Sequence, residues 1–204
     1  MANLVTDDQA REWLNIGDSL DDNLIATLTS AVSQAVRLHL GRSMNVDAAQ
    51  VASARYFFPA DCWTVNIDDA YEITAVATDD ADSGTWATTW SSSDYYALPA
   101  GGVGADGQTG WPYTSLRAVE SRTFPYAIRP AVKVTAKWGW SAVPDDVEIA
   151  CLMLVAEMYK ARDGGYETFT SDAGFTQIRR NLVVRDLLEP YRTARASGSR
   201  FRVG

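Results

Sequence analysis

Histidine and cysteine are nearly absent from this chain, with one His and two Cys in 204 residues. A lone His39 leaves almost no room for a histidine-based metal site, and Cys62 and Cys151 supply neither a CxxC pair nor a disulfide framework. A Cys₂His site would need those three residues to converge, which nothing in their spacing suggests, so two buried free thiols are the expectation. Positive charge is also short: 18 Lys and Arg face 26 Asp and Glu, for a formal charge of −8. That balance argues against a general nucleic-acid binder, whose affinity comes from Lys and Arg displacing condensed counterions. Long apolar runs are missing as well. The longest, Ile149 to Ala156, is less than half of the ~20 residues that span a bilayer, so it reads as a core helix and no membrane contact is expected. Met1 to Asp8 has neither a basic n-region nor an apolar core, which predicts no signal peptide and synthesis in the cytoplasm. No internal repeat, heptad array or low-complexity tract occurs.

What is present is an ordinary globular composition, 47% hydrophobic and 22% charged, in a chain long enough to bury about 70% of its unfolded surface. Thr6 with Gln9 three residues on has the form of a capping box, opening a short helix through Trp13 and Leu14 that stops near Gly17. Ser19 with Asp22 repeats the signal. Leu24, Leu28, Ala31, Val32, Ala35 and Leu38 or His39 then recur at helical spacing until Gly41 supplies a stop.

From about Ser53 to Trp138 the period changes to two. Candidate strands are Ala54 to Phe58, Thr64 to Ile67, Ile73 to Thr78, Trp86 to Trp90, Tyr95 to Leu98, Thr114 to Val119 and Val132 to Trp138, with turn clusters between them and no intervening helix, so the pairing should be antiparallel. Pro144 with Asp145 and Asp146 starts a helix to about Arg162, with Pro144 at a first helical position. Val147, Ala150, Cys151, Leu154, Val155 and Met158 form one face of it, but Ile149, Leu152 and Met153 lie off that face, so the helix must be covered on several sides. After Gly164-Gly165 and a polar loop, a last helix should turn Ile178, Leu182 and Leu188 to the core and close at Pro190. The expected fold is α+β. A small helical bundle comes from the N- and C-terminal segments, 1–50 and 141–192; a large antiparallel β insertion spans 51–140; and 193–204 is a basic tail too poor in apolar residues to fold alone.

Each chemical motif has a blander explanation. His39 sits near the buried helix face with no nucleophile motif beside it. Asp68-Asp69 and Asp79-Asp80 with Asp82 fall at strand-turn boundaries, and Asp145-Asp146 serve a helix start. The segment Asp79 to Gly84 has a glycine at position six, as a calcium loop does, but Ser91 stands at position twelve instead of Glu. A hydrolase built on Asp79 to Asp82 is the weakest competing function. The glycines at 101, 102, 104, 107 and 110 lack a GKS/T ending, so they read as a long mobile hairpin loop. Most of the seven tryptophans lie between Trp63 and Trp140 and can line the inner face of a sheet, with Trp86, Trp90 and Trp111 the exceptions expected to be exposed; a glycan-binding module is the alternative function. No catalytic, cofactor or metal residues are assigned. From Gln177 onward seven arginines face only Asp186 and Glu189, and Phe201 lies between Arg200 and Arg202, a composition that favours docking on a protein partner.

Two stretches carry a resemblance. Glu12-Trp13-Leu14 to Leu40-Gly41-Arg42 reads as a short helix, an acidic cap, a long helix and an L-G-R stop. Val132 to Trp140 followed by Val143-Pro144-Asp145-Asp146 reads as a last strand, an aromatic-Gly-aromatic turn and an apolar helix. Together with Val184 to Arg192 they cover nearly half of the chain, and it resembles the head-tail connector (adaptor) proteins of tailed bacteriophages. The resemblance implies a structural, non-enzymatic role in the virion neck, after assembly in the host cytoplasm. It implies a homo-oligomeric ring, commonly of twelve copies, that sits beneath the portal protein, extends the DNA channel and docks the next neck or tail-completion protein. The apolar helix after Pro144 would then bury one flank against its own helices and another against a neighbouring copy. Arg192, Arg195, Arg200, Phe201 and Arg202 are the expected portal-docking residues, and the acidic body would let DNA pass without adhering. The stretch between Gly41 and Pro144 is longer than in compact members.

Overall fold

A computed structural model describes residues 2–44, 51–104, 107–119, 122–125, 129–162 and 181–193. In chain order it contains α1 (Asp7–Leu14), α2 (Asp22–Leu40), β1 (Ser53–Phe57), β2 (Thr64–Thr78), β3 (Thr88–Trp90), β4 (Tyr95–Leu98), β5 (Tyr113–Ala118), β6 (Val132–Trp138), α3 (Asp145–Ala161) and α4 (Leu182–Leu188). The fold is α+β, with helices from the two ends of the chain and a six-stranded antiparallel sheet between them in sequence. Two compact units result, one of Met1–Met44 with Val143–Gly204 and one of Asn45–Ala142.

In the helical unit the Thr6 hydroxyl accepts from Gln9 N at 3.1 Å, and the Gln9 amide oxygen accepts from Thr6 N at 2.7 Å, the full capping box. The helix ends on Asn15 in the left-handed region, earlier than Gly17, because asparagine tolerates that conformation and its N–H reaches back to Arg11 and Glu12. α2 is capped by Asp21, not Ser19, and the Asp21 side chain does not bond its own helix. Gly41 closes α2 at φ 66°, donating to Arg37 O at 2.9 Å.

The buried face of α2 is turned from the one the apolar spacing predicts. Ile25, Leu28, Val32, Val36 and Leu40 are buried, together with Thr29 and Ser33, while Ala31 and Leu38 face solvent. The two hydroxyls make the rotation possible, because the N-terminal segment satisfies them. Leu4 N donates to Ser33 Oγ at 2.9 Å, and the Thr29 hydroxyl donates to Asp7 at 2.6 Å. Ser33→Ala should leave the Leu4 N–H buried without an acceptor and cost about 1–3 kcal/mol; a urea midpoint unchanged from wild type would refute this.

The sheet runs β1-β6-β2-β5-β4, with β3 also pairing β2. β2 is its spine. It pairs β5 through Thr64 to Ala70 and β6 through Ala70 to Thr78, with register shifts that mark bulges. Two predicted strands, Thr64 to Ile67 and Ile73 to Thr78, are therefore one. Asp68 and Asp69 lie inside that strand, not in a turn, because both carboxylates find partners there: Asp68 takes Arg55 at 2.6 Å and Asp69 takes the Trp140 indole N–H at 3.2 Å. Val132, Val134, Ala136 and Trp138 alternate inward along β6 and pack with Val65, Val76, Leu116, Trp90 and Phe124. Trp90 is buried, contrary to expectation. Its ring stacks on Phe124 with centroids 4.5 Å apart, and its N–H donates to Thr78 Oγ1 at 3.0 Å.

Candidate assembly surfaces

α3 starts after Pro144, which is the cap residue and not the first helical one. Val147, Ala150, Cys151, Leu152, Leu154 and Val155 are buried on it, with α1, α2 and α4 all packed against it. Leu152 is thus covered within the same polypeptide. Of the three side chains read as lying off the main face, Ile149 stays exposed and Met153 half-buried. Most of the apolar circumference is satisfied by the chain's own helices.

Asp21 is the clasp between α2 and α3. It accepts from the Tyr159 hydroxyl, and from Arg162 at 2.9 Å. The Tyr159 hydrogen bond, opposed by burial and aided by Arg162, holds the Asp21 carboxyl below its ordinary range and pushes the Tyr159 phenol up. The same carboxylate cannot also cap its own helix.

α4 is capped by Asn181, whose side-chain oxygen accepts from Val184 N at 3.1 Å. That cap sets the helix phase, so Val184 and Leu188 are buried and Leu182, expected in the core, is exposed with Val183. Ile178 lies outside the described residues. A 3-10 turn at Glu189–Tyr191 containing Pro190 follows; Tyr191 is buried with its hydroxyl 3.4 Å from Asp146, and Thr193 N donates to Leu40 O at 2.9 Å. Arg192 is engaged by Glu189 at 3.0 Å. The other expected docking residues, Arg195, Arg200, Phe201 and Arg202, lie outside the described residues.

Asp79 and Asp80 bond groups close to them in the chain. Asp79 is buried and accepts from Ser83 N at 3.0 Å, the Ser83 hydroxyl at 3.1 Å and Gly84 N at 2.5 Å. Burial pushes this carboxyl up, but those bonds outweigh it and hold it below its ordinary range. Asp80 accepts from Thr88 at 2.6 Å. Both oxygens of Asp79 are engaged by its own loop. Among the described residues no three His, Cys, Asp or Glu side chains are placed to hold a metal ion, and no helix is long and apolar enough to cross a membrane.

Cys62 is exposed, not buried, because it sits in the loop before β2; Cys151 is buried, which pushes its thiol up to about 12. The glycine-rich run is braced where it is described: Val103 bridges Thr109, Trp111 N donates to Gly102 O at 2.9 Å, and a Cβ at Gly104 would lie 2.1 Å from the Trp111 indole nitrogen. Trp111 also meets Trp140 at 5.1 Å, and Trp86 meets Tyr56 at 4.5 Å. With Trp90, Trp138 and Trp140 buried, only Trp63 of the sheet's tryptophans is largely exposed, at 42%.

The architecture matches solved structures. A chain in the neck of an empty gene transfer agent particle, computed with C6 symmetry, superposes with a TM-score of 0.54 at 17% identity, over 93% of this chain and 90% of that one. A chain in the virion of the native gene transfer agent particle gives 0.50 at 20% identity, over the same shares. This is the fold of a gene transfer agent neck protein. The neighbours belong to a phage-like particle, in accord with the connector resemblance of the sequence. The likeness spans nearly the whole chain, so the long β insertion is part of that shared fold. No protein-family model matches the chain, and no curated protein does.

Proposed function

We propose that this chain is a structural head-tail connector subunit, one copy of a closed ring in the neck of a tailed-phage-like particle. The observation that carries the reading is the fold shared over 93% of the chain with a protein of a particle neck. The ring sits beneath the portal, prolongs the DNA channel and offers its far side to the next neck protein. Twelve copies are compatible with the sixfold symmetry of that neck. The formal charge of −8 suits a conduit, since acidic walls repel phosphate and let DNA slide. The role requires no catalysis and no cofactor. Arg192, Arg195, Arg200, Phe201 and Arg202 are the portal-docking residues, with Arg192 exchanging Glu189 for the portal.

The test is electron microscopy of the purified protein mixed with its portal, expected to give closed rings coaxial with the portal. Truncation after Arg192 should leave the circular dichroism spectrum unchanged and abolish portal capture in a pull-down. Portal mixtures that never contain rings sink the connector reading, and a truncated chain that still binds sinks the docking assignment.

A further inference from the structure

α2 and α4 pack on different flanks of α3. Asp21, before α2, is bonded to Tyr159 and Arg162, whereas Asn181, before α4, reaches Glu157, and Tyr191, after it, reaches Asp146. At about 100° per residue, positions 146 and 157 fall on one side of α3 and position 159 on the other. The two helices therefore turn their outer faces in different directions.

Each outer face carries little net charge. On the α4 side Leu182 is 59% and Val183 57% exposed, with Ile149 of α3 at 41%. The exposed charges that follow on α4, Arg185 and Asp186, are paired with each other at 2.9 Å. On the α2 side the exposed residues from Ala26 to Leu38 are Ala26, Thr27, Ser30, Ala31, Gln34 and Leu38. Over about three turns of this surface helix the one charge is the half-buried Arg37, which is bonded back to Ser43 O at 2.7 Å and to Ala2 O, in a chain with 22% charged residues. Leu38 is 59% exposed, and the Thr27 hydroxyl is turned back onto Asn23 O at 2.8 Å.

We infer that these two faces are the ring contact: Leu182, Val183 and Ile149 of one copy pack on the outer face of α2 in the next. The inference rests on the ring reading proposed above and names the surfaces that close it. A cyclic ring needs two unlike surfaces on different sides of each subunit, and these are such a pair. Copies with a formal charge of −8 repel one another, so their contact belongs where neither face adds net negative charge. The shapes also fit. Branched side chains project from α4 and α3, while Ala26, Ser30 and Ala31 keep the α2 surface low, so one set of ridges can enter the other's grooves.

The test uses the full chain with its portal, counting rings by electron microscopy. Val183→Glu and Ala31→Lys should each reduce ring yield about tenfold or more, the scale of a central interface residue, with an unchanged melting temperature for the free protein. The double variant, which sets Glu against Lys across every contact, should restore rings. Single variants that assemble like wild type overturn the inference and leave the ring reading standing. Loss in both singles without restoration in the double overturns the pairing of these two faces. Failure of the wild type itself to form rings removes the reading beneath it.

Discussion

Trp90→Ala should destabilise the β unit by about 3–5 kcal/mol, the range for removing a buried aromatic. The ring is 7% exposed, stacks on Phe124 at an interplanar angle of 6° and bonds the buried Thr78 hydroxyl, so three interactions fail together. Phe124 matters because it comes from the irregular segment after β5 and donates its N–H to Cys62 O at 2.8 Å; Trp90 is what holds it over the sheet. Trp90→Phe separates the terms. It keeps a ring over Phe124 and loses the Thr78 bond, so it should cost only about 1–3 kcal/mol. Denaturant unfolding followed by tryptophan fluorescence measures both. Equal costs for the two variants would show that the stack contributes nothing.

Leu188→Ala should cost the helical unit about 2–5 kcal/mol, a large share of the ~5–15 kcal/mol that holds a domain folded. α4 has 7 residues, well under the ~12–15 at which an isolated helix becomes even marginal, so it exists only through what it buries. Val184, Leu188 and Tyr191 recur at four- and three-residue steps, each 1% exposed or less. Removing the middle one opens a cavity between the other two. Leu182→Ala on the same helix is the control, since its side chain is exposed and the free protein should change by no more than about 0.5 kcal/mol. Far-UV circular dichroism against urea reads both, and a Leu188→Ala midpoint equal to that of Leu182→Ala would refute the account.

The helix ends were legible where one residue decides the matter locally. Thr6 and Gln9 bond each other across one turn, and Gly41 adopts a left-handed conformation. The α+β organisation was legible for a similar reason, because period two and period 3.6 are written into separate stretches. What the sequence hid were decisions taken by distant partners. Thr29 and Ser33 read as surface residues until Asp7 and Leu4 satisfy them, and that shift of the α2 face is why Leu38 was assigned to the core. Asp68-Asp69 read as a turn because their partners, Arg55 and Trp140, lie 13 and 71 residues away. Leu182 was misplaced although the signal was present: Asn181 is a good cap, and starting the helix there rotates Leu182 outward. The weakly charged outer face of α2 was visible in the sequence but could not be told from a buried one until the buried one was known.

The Thr193 to Leu40 hydrogen bond joins the end of the last described segment to the end of a helix begun near residue 22. Its consequence concerns synthesis. α2 leaves the ribosome about a hundred residues before α3, the helix that covers its apolar side, which at about 5–20 residues per second leaves Ile25, Val32, Val36 and Leu40 waiting for roughly 5–20 s. The intervening sheet has its own core and can be completed during that delay. The nascent chain thus carries a greasy, partnerless hairpin of α1 and α2 through most of its translation, and a chaperone that grips such hairpins would meet this protein early.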